Sequence, residues 1–363
     1  MRFSVVLVAL ALSAIAHAEL PPLPGPGPRA DNEPERQHRQ RENASCVGCH
    51  PQIAREWALS LHQHAWTDEV FQKAYTVEPV AFCRSCHAPE SNPANEPSAR
   101  AQNIGVGCVT CHGASGHVVG PKASPTALHP VLADARLKTP AACASCHQFD
   151  FPIDAHQLVP EAMQDTVQEH ASSTAASTPC QGCHMPQTPN EDDQGKHASH
   201  SFSVLADESR VRSAVKVEAR RLDLGRIEIS LTADRIGHAF PTGDMFRRVE
   251  VSADSLDARG KVLRHETAIL ARSFVDIPGA DHQIQRVQAD DTRVPAPGHG
   301  ARLVVLHTSV KATTVRYRVV YQRMSTPMAA AFGVNQILDQ IEVARGELPQ
   351  SVVAVAPNQG AWK

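Results

Sequence analysis

Five short stretches decide the reading of this chain: Cys46-Val47-Gly48-Cys49-His50, Cys83-Arg84-Ser85-Cys86-His87, Cys108-Val109-Thr110-Cys111-His112, Cys143-Ala144-Ser145-Cys146-His147 and Cys180-Gln181-Gly182-Cys183-His184. All ten cysteines of the 363 residues fall inside them. Cys-x-x-Cys-His is the attachment signature of c-type haem. Two thiols three positions apart can form thioethers with the two vinyl groups of one porphyrin. The histidine that follows is then held beneath the iron as its proximal ligand. With ten cysteines and twenty histidines placed at random, about 0.015 such pentads would be expected. A disulfide framework also uses an even number of cysteines, but it has no reason to put histidine after every second one. A chain this long can build a core without staples. Tetracysteine zinc sites use Cys-x-x-Cys pairs too, and the five trailing histidines fit them badly. The pentads therefore predict five covalently bound haem c groups, each with its iron.

The first 18 residues read as a secretory signal. Arg2 supplies the positive start, Val5 to Ile15 an apolar run too short to span a bilayer, and Ala16-His17-Ala18 a cleavage site before Glu19. A retained membrane anchor is the alternative. Export to the periplasm or the extracellular space agrees with haem attachment, which is completed outside the cytoplasm. The sequence predicts no integral membrane segment after signal cleavage. Net charge is -3, from 35 basic and 38 acidic residues, a balance that gives no reason to expect nucleic acid as a partner. The expected partners are redox proteins, other cytochromes or quinol-linked donors. Aromatic residues are only 4% of the chain, so the porphyrins would have to supply the large flat apolar surfaces of the haem region.

Outward from the pentads the chain divides into segments. After the signal (1–18), residues 19–43 read as a Pro-rich and charged linker. Within it 20–28 is a polyproline-type spacer, and Asp31 to Asn43 is flexible or a frayed helix. The haem domain covers 44–204, with first cysteines 37, 25, 35 and 37 residues apart. Beyond Phe202 the period changes to two, in Ala214–Ala219, Arg226–Leu231, Arg248–Val251, Arg302–Leu306 and Thr314–Tyr321. These runs predict an antiparallel sandwich of immunoglobulin-like architecture over 205–350, with a tail at 351–363. The fold class is thus multidomain: a mainly helical, loop-rich multihaem cytochrome c domain followed by an all-β domain.

Each iron has a proximal ligand, His50, His87, His112, His147 or His184, and takes a sixth ligand or leaves that position open. A second histidine gives a low-potential carrier, whereas an open position admits substrate. On a helix expected over Gln52–Trp66, at about 100° per residue, His64 shares a face with Ile53, Trp57 and Ser60 while His62 points away. His117 follows His112 closely across two glycines and serves a neighbouring haem rather than its own. His129 precedes Pro130 in an extended loop, and His200 comes where the chain leaves the haem domain. His238, in Gly237-His238-Ala239-Phe240-Pro241-Thr242-Gly243, belongs to the β domain and could hold it against a haem. His170 reads as a packed histidine, and His265, His282, His299 and His307 as surface or structural.

Trp57-x-x-Ser60-x-His62-x-x-Ala65, Gly105-Val106-x-Cys108-x-x-Cys111-His112-Gly113 and Ser199-His200-x-Phe202 resemble the multihaem cytochromes related to cytochrome c-554. The resemblance implies a distal-ligand role for His62, against the helix-face argument. Cys143 to Phe149, Met163-Gln164-x-Thr166 and Cys183-His184-Met185-Pro186 are similar to larger multihaem relatives, and the motif at 237–243 to exported ones with a β domain. The similarity covers roughly 44–250 and departs from the tetrahaem pattern in its fifth pentad and C-terminal β domain. The distal ligands expected are His62, His117, His129 and His200, with His238 as an outside choice. No catalytic group is legible, and the leading expectation is an electron-transfer protein. The rival is a multihaem reductase or oxidase of small nitrogen or sulfur compounds with one open haem. Pentahaem nitrite reductases have a pentad ending in lysine, and all five here end in histidine.

Overall fold

The computed structural model describes residues 32–350 apart from 78, 115–116, 125–127, 152–159, 193–194, 203–206, 280–283 and 334–339. The signal, the proline-rich spacer, the tail from 351 and His282 lie outside the described residues.

The haem half is built of short helices, and every pentad sits on one. Helix Glu33–Cys49 ends in the first; Ala81–His87, Cys108–His112, Ala141–His147 and Cys180–His184 carry the others. The reason is geometric. On a helix, positions i, i+3 and i+4 share a face, so one turn aims both thiols and the histidine at the same side. Where the sequence suggested flexible chain or a frayed helix over 31–43, a continuous helix begins at Glu33. Asn32 caps it, accepting from the Glu35 amide at 2.9 Å, and its Arg39, Gln40 and Asn43 are buried. Polar residues do this packing, which is why the stretch looked apolar-poor and unstructured. The helix expected over Gln52–Trp66 is also shorter: it runs Pro51–Ala58. Ser60 ends it, its hydroxyl donating back to Trp57 O at 2.7 Å and accepting from the Gln63 amide at 3.2 Å, a local competitor to helical bonding.

Apolar packing here is thin. Trp66, Tyr75 and Ala88 make one small cluster, and Val70 packs with Met324 and Ala329 of the β half in another. Among the described residues no helix is long and apolar enough to cross a membrane.

From Val215 on, the chain forms two antiparallel sheets. One orders its strands Val262–Leu270, Arg248–Leu256, Thr314–Gln322, Gln340–Pro349; the other, Ala301–His307, Arg226–Ala233, Val215–Asp223. Arg272–Pro278 and Ile284–Asp291 pair as a separate hairpin. Register is set by alternation: Val251 lies opposite Ala268 on one side and Val319 on the other, and Ile229 opposite Val304 and Ala219. The inward residues of both sheets merge in one core, where Ile227, Ile229, Leu231, Val249, Val251, Val315 and Val319 are fully enclosed. Each such side chain contributes about 1.5–3 kcal/mol on burial, so this half needs no cofactor for its interior.

The halves are tied by buried polar contacts. Arg293 holds Glu169 at 2.7 Å and Pro241 O at 3.0 Å, and Thr242 donates to Glu169 at 2.7 Å. Arg323 grips both Asp68 oxygens at 2.9 and 2.6 Å.

Candidate haem-binding sites

All ten cysteines are free of disulfides. Two thiol contacts link pentads far apart in sequence. The Cys46 thiol lies beside that of Cys108, which holds it down to about 7, and Cys180 is held down to about 6 by Cys143 beside it. The first pentad therefore abuts the third, and the fourth abuts the fifth.

Four of the five pentad histidines face a second histidine, and the separations are nearly identical. Ring centroids are 6.2 Å apart for His50–His129, 6.3 Å for His147–His62, 6.1 Å for His112–His200 and 6.3 Å for His184–His238. The interplanar angles are 73°, 57°, 38° and 9° in the same order. Contact packing of rings does not fix a distance while leaving the angle free. A metal between two axial imidazoles does. With metal–nitrogen distances of about 2 Å and each ring centre roughly 1.2 Å beyond its nitrogen, centroids stand about 6.4 Å apart, and each ring turns freely about its own bond. The residues present fit an iron held by two histidines at all four places.

The surrounding groups prepare the same state. His112 Nδ1 lies 2.8 Å from Val119 O, His200 Nδ1 2.7 Å from Ala198 O, His238 Nδ1 2.9 Å from Ala239 O and His87 Nδ1 2.6 Å from Ala65 O. A carbonyl can only accept, so each Nδ1 carries the proton and each Nε2 keeps the lone pair a metal needs. Burial pushes His62 down to about 3 and His147, His184 and His238 to about 4, with neighbouring histidines, and Arg247 beside His147 and His238, adding to the effect. Those rings are neutral at physiological pH, as ligation requires.

His62 reaches its partner from the turns after Ala58. The Val106 amide donates to His62 O at 2.8 Å, and a side chain on Gly105, at φ 57°, would meet His62 O at 2.6 Å. Only glycine fits there, which explains the Gly105-Val106 pair ahead of the third pentad. Phe202 closes the other side, its ring 4.3 Å from that of His62. His64, the choice of the helix-face argument, is exposed instead, because the helix that would have aimed it inward has ended. His238 arrives from the β half on a loop pinned by the paired amides and carbonyls of Phe240 and Val294, each at 2.9 Å.

His87 differs. Its ring stacks on Phe71 at 3.6 Å and 8°, and among the described residues no histidine faces it at the spacing of the other four. His117 is exposed on strand His117–Gly120, and among the described rings it is opposite none of the pentad histidines. His170 is buried with Nε2 2.9 Å from Thr178 O, and His197 sits between Asn190 and Glu56 at 2.9 Å each. His265 and His299 have their own polar partners, Asp254 and Ser172 O. The carbonyls of Ala65, Val119, Ala198 and Ala239 had no signal in the sequence, since any residue can supply one.

Residues 45–113 match the family described as cytochrome c554 and c-prime. Among solved structures the chain is similar to a pentahaem cytochrome c552 from Thermochromatium tepidum, with a TM-score of 0.66 and 22% identity, over 84% of this chain and 97% of that one. At that identity the likeness speaks for the fold. No protein of curated function matches the chain.

Proposed function

We propose that this chain, a multihaem c-type cytochrome related to cytochrome c-554 and carrying covalent haem c, is an exported pentahaem electron-transfer protein. Attachment falls to Cys46 and Cys49, Cys83 and Cys86, Cys108 and Cys111, Cys143 and Cys146, and Cys180 and Cys183. Four irons are bis-histidine: His50 with His129, His112 with His200, His147 with His62, and His184 with His238. The observation that carries the reading is the constant 6.1–6.3 Å spacing of these pairs at four unrelated angles.

Haem, when bound, supplies a one-electron ferric/ferrous couple. The polypeptide fixes the ligands, shields them and sets the centres side by side, as the Cys46–Cys108 and Cys143–Cys180 contacts indicate. His50 and His129 are both exposed, which favours this centre as the point of exchange with a redox partner protein. The two-sheet half is read as an immunoglobulin-like brace that completes one centre through His238. The apolar run Val5–Ile15 with its Ala-His-Ala sequence supports export.

A second reading rests on His87. Among the described residues no second histidine faces it; an iron left so could take a substrate, and the protein would be a reductase or oxidase of small nitrogen or sulfur compounds. Optical and EPR spectra of the holoprotein, with carbon monoxide added after reduction, test both. Four low-spin irons indifferent to carbon monoxide are expected. Two or more responsive irons would refute the pairing. A single responsive iron that also turns over nitrite, hydroxylamine or tetrathionate would replace the carrier by the enzyme.

A further inference from the structure

Arg247 stands where the haem half meets the two-sheet half, and 27% of its side chain is open. His147 and His238 both feel its charge, and Asp68 and Asp244, which flank it, also act on His87. Its Nε donates to Asp244 at 2.9 Å, and its terminal nitrogens lie toward the Tyr321 hydroxyl.

Beside the guanidinium lies the hydroxyl of Tyr321. Tyr321 is 4% exposed, and its hydroxyl is buried without a hydrogen-bond partner. A buried hydroxyl left without an acceptor is costly, so Tyr321 with an open guanidinium edge beside it points to an absent acceptor. The other nearby cation, Arg323, is engaged by Asp68. The seat is shaped by Gly243: at φ 109° it lets the guanidinium lie against the backbone, where a side chain would come within 2.9 Å of Arg247 Nε.

Both groups can donate, and one is a cation whose planar fork suits a carboxylate or other oxyanion. We infer that Arg247 and Tyr321 form the seat for one carboxylate or small oxyanion group near His87, His147 and His238. Two sources share this chemistry, a propionate of a covalently bound haem and a soluble oxyanion such as nitrite. The inference rests on the haem reading above, and the pyridine haemochrome haem count of each preparation checks that reading separately.

The test uses holoprotein, wild type and the variants Arg247→Leu, Arg247→Lys and Tyr321→Phe. The lysine variant keeps the charge, and Tyr321→Phe removes only an unpartnered hydroxyl, so both remain informative if Arg247→Leu fails to fold. Midpoint potentials of the haems are followed against pH, and oxidised protein is titrated with nitrite in chloride-free buffer. If a propionate fills the seat, Arg247→Leu moves the pH inflection of one midpoint upward by at least tenfold in proton affinity. Tyr321→Phe moves it the same way by less, Arg247→Lys leaves it near wild type, and nitrite does nothing. If the source is soluble, nitrite gives a saturable spectral change in wild type that Arg247→Leu weakens at least tenfold. Unchanged inflections with no nitrite response overturn the seat. So does a midpoint that falls in Arg247→Leu with its pH profile unchanged, because that is the mark of a lone cation beside a haem.

Discussion

Replacing Arg39 by methionine should cost the haem half about 3–5 kcal/mol, the loss usual when one partner of a buried ion pair is removed. Arg39 and Glu90 have side-chain exposures of 9% and 1%. The guanidinium meets both carboxylate oxygens, at 2.7 and 3.1 Å, and also donates to Val109 O at 2.8 Å and Gly113 O at 3.3 Å. Thr110 adds a donor to Glu90 at 2.9 Å. The variant would strand the Glu90 charge where water cannot reach it and take one donor from each of the Val109 and Gly113 carbonyls. Because Arg39 lies on the helix that ends in the first pentad and Val109 and Thr110 belong to the third, this pair clamps two haem sites together. The assay is guanidinium unfolding of the holoprotein by far-UV circular dichroism, at equal haem content. With an m-value of about 4 kcal/mol/M, the midpoint of the haem half should fall by roughly 1 M. Arg39→Met combined with Glu90→Leu should return most of the loss, since an apolar pair leaves no charge behind. The exposed pair Arg55–Glu191, 58% and 64% open, is the control: Arg55→Met should leave the midpoint where it was. A drop below about 0.25 M for Arg39→Met, equivalent to the roughly 1 kcal/mol of a surface pair, would sink the argument.

Three further outcomes are expected. His62→Ala should turn one iron high-spin and carbon-monoxide-reactive, whereas His64→Ala, altering an exposed ring, should leave the spectrum alone; equal effects would contradict the His147–His62 pairing. When expression blocks haem attachment, proteolysis followed by mass spectrometry should find the region before about residue 205 degraded and the two-sheet half surviving, because only the latter has an interior made of its own side chains. Ile229→Ala, at a fully enclosed position, should destabilise that half by about 2–5 kcal/mol in thermal unfolding, while Val305→Ala, at a position 45% exposed, should change it little.

Much of the fold was legible where it follows from local pattern. The runs read at 226–231 and 248–251 alternate strictly, and the structure buries their alternate residues. The helix at 33–49 was half-visible: its interior contacts are made by Arg39, Gln40 and Asn43, and hydropathy does not see burial by ion pairing. The early end of the Pro51–Ala58 helix was missed because it depends on the Ser60 hydroxyl turning back on its own backbone. The motif resemblance singled out His62, which faces His147, because it encodes contacts that helical periodicity cannot, such as the approach of Gly105 to His62 O.

The sequence by itself determined where the five pentads stand, since two thiols and a histidine within one helical turn are a matter of covalent spacing that no later folding step alters. It also determined where the pattern changes, because sustained period-two apolar runs begin beyond Phe202. Tertiary structure alone decided which histidines face one another. His62 meets His147 across 85 residues and His238 reaches His184 from the other half, and such pairings depend on loop closure and on buried contacts like Glu169–Arg293 that no short motif records. For the same reason His87 reads like its four counterparts in sequence and differs from them only in space.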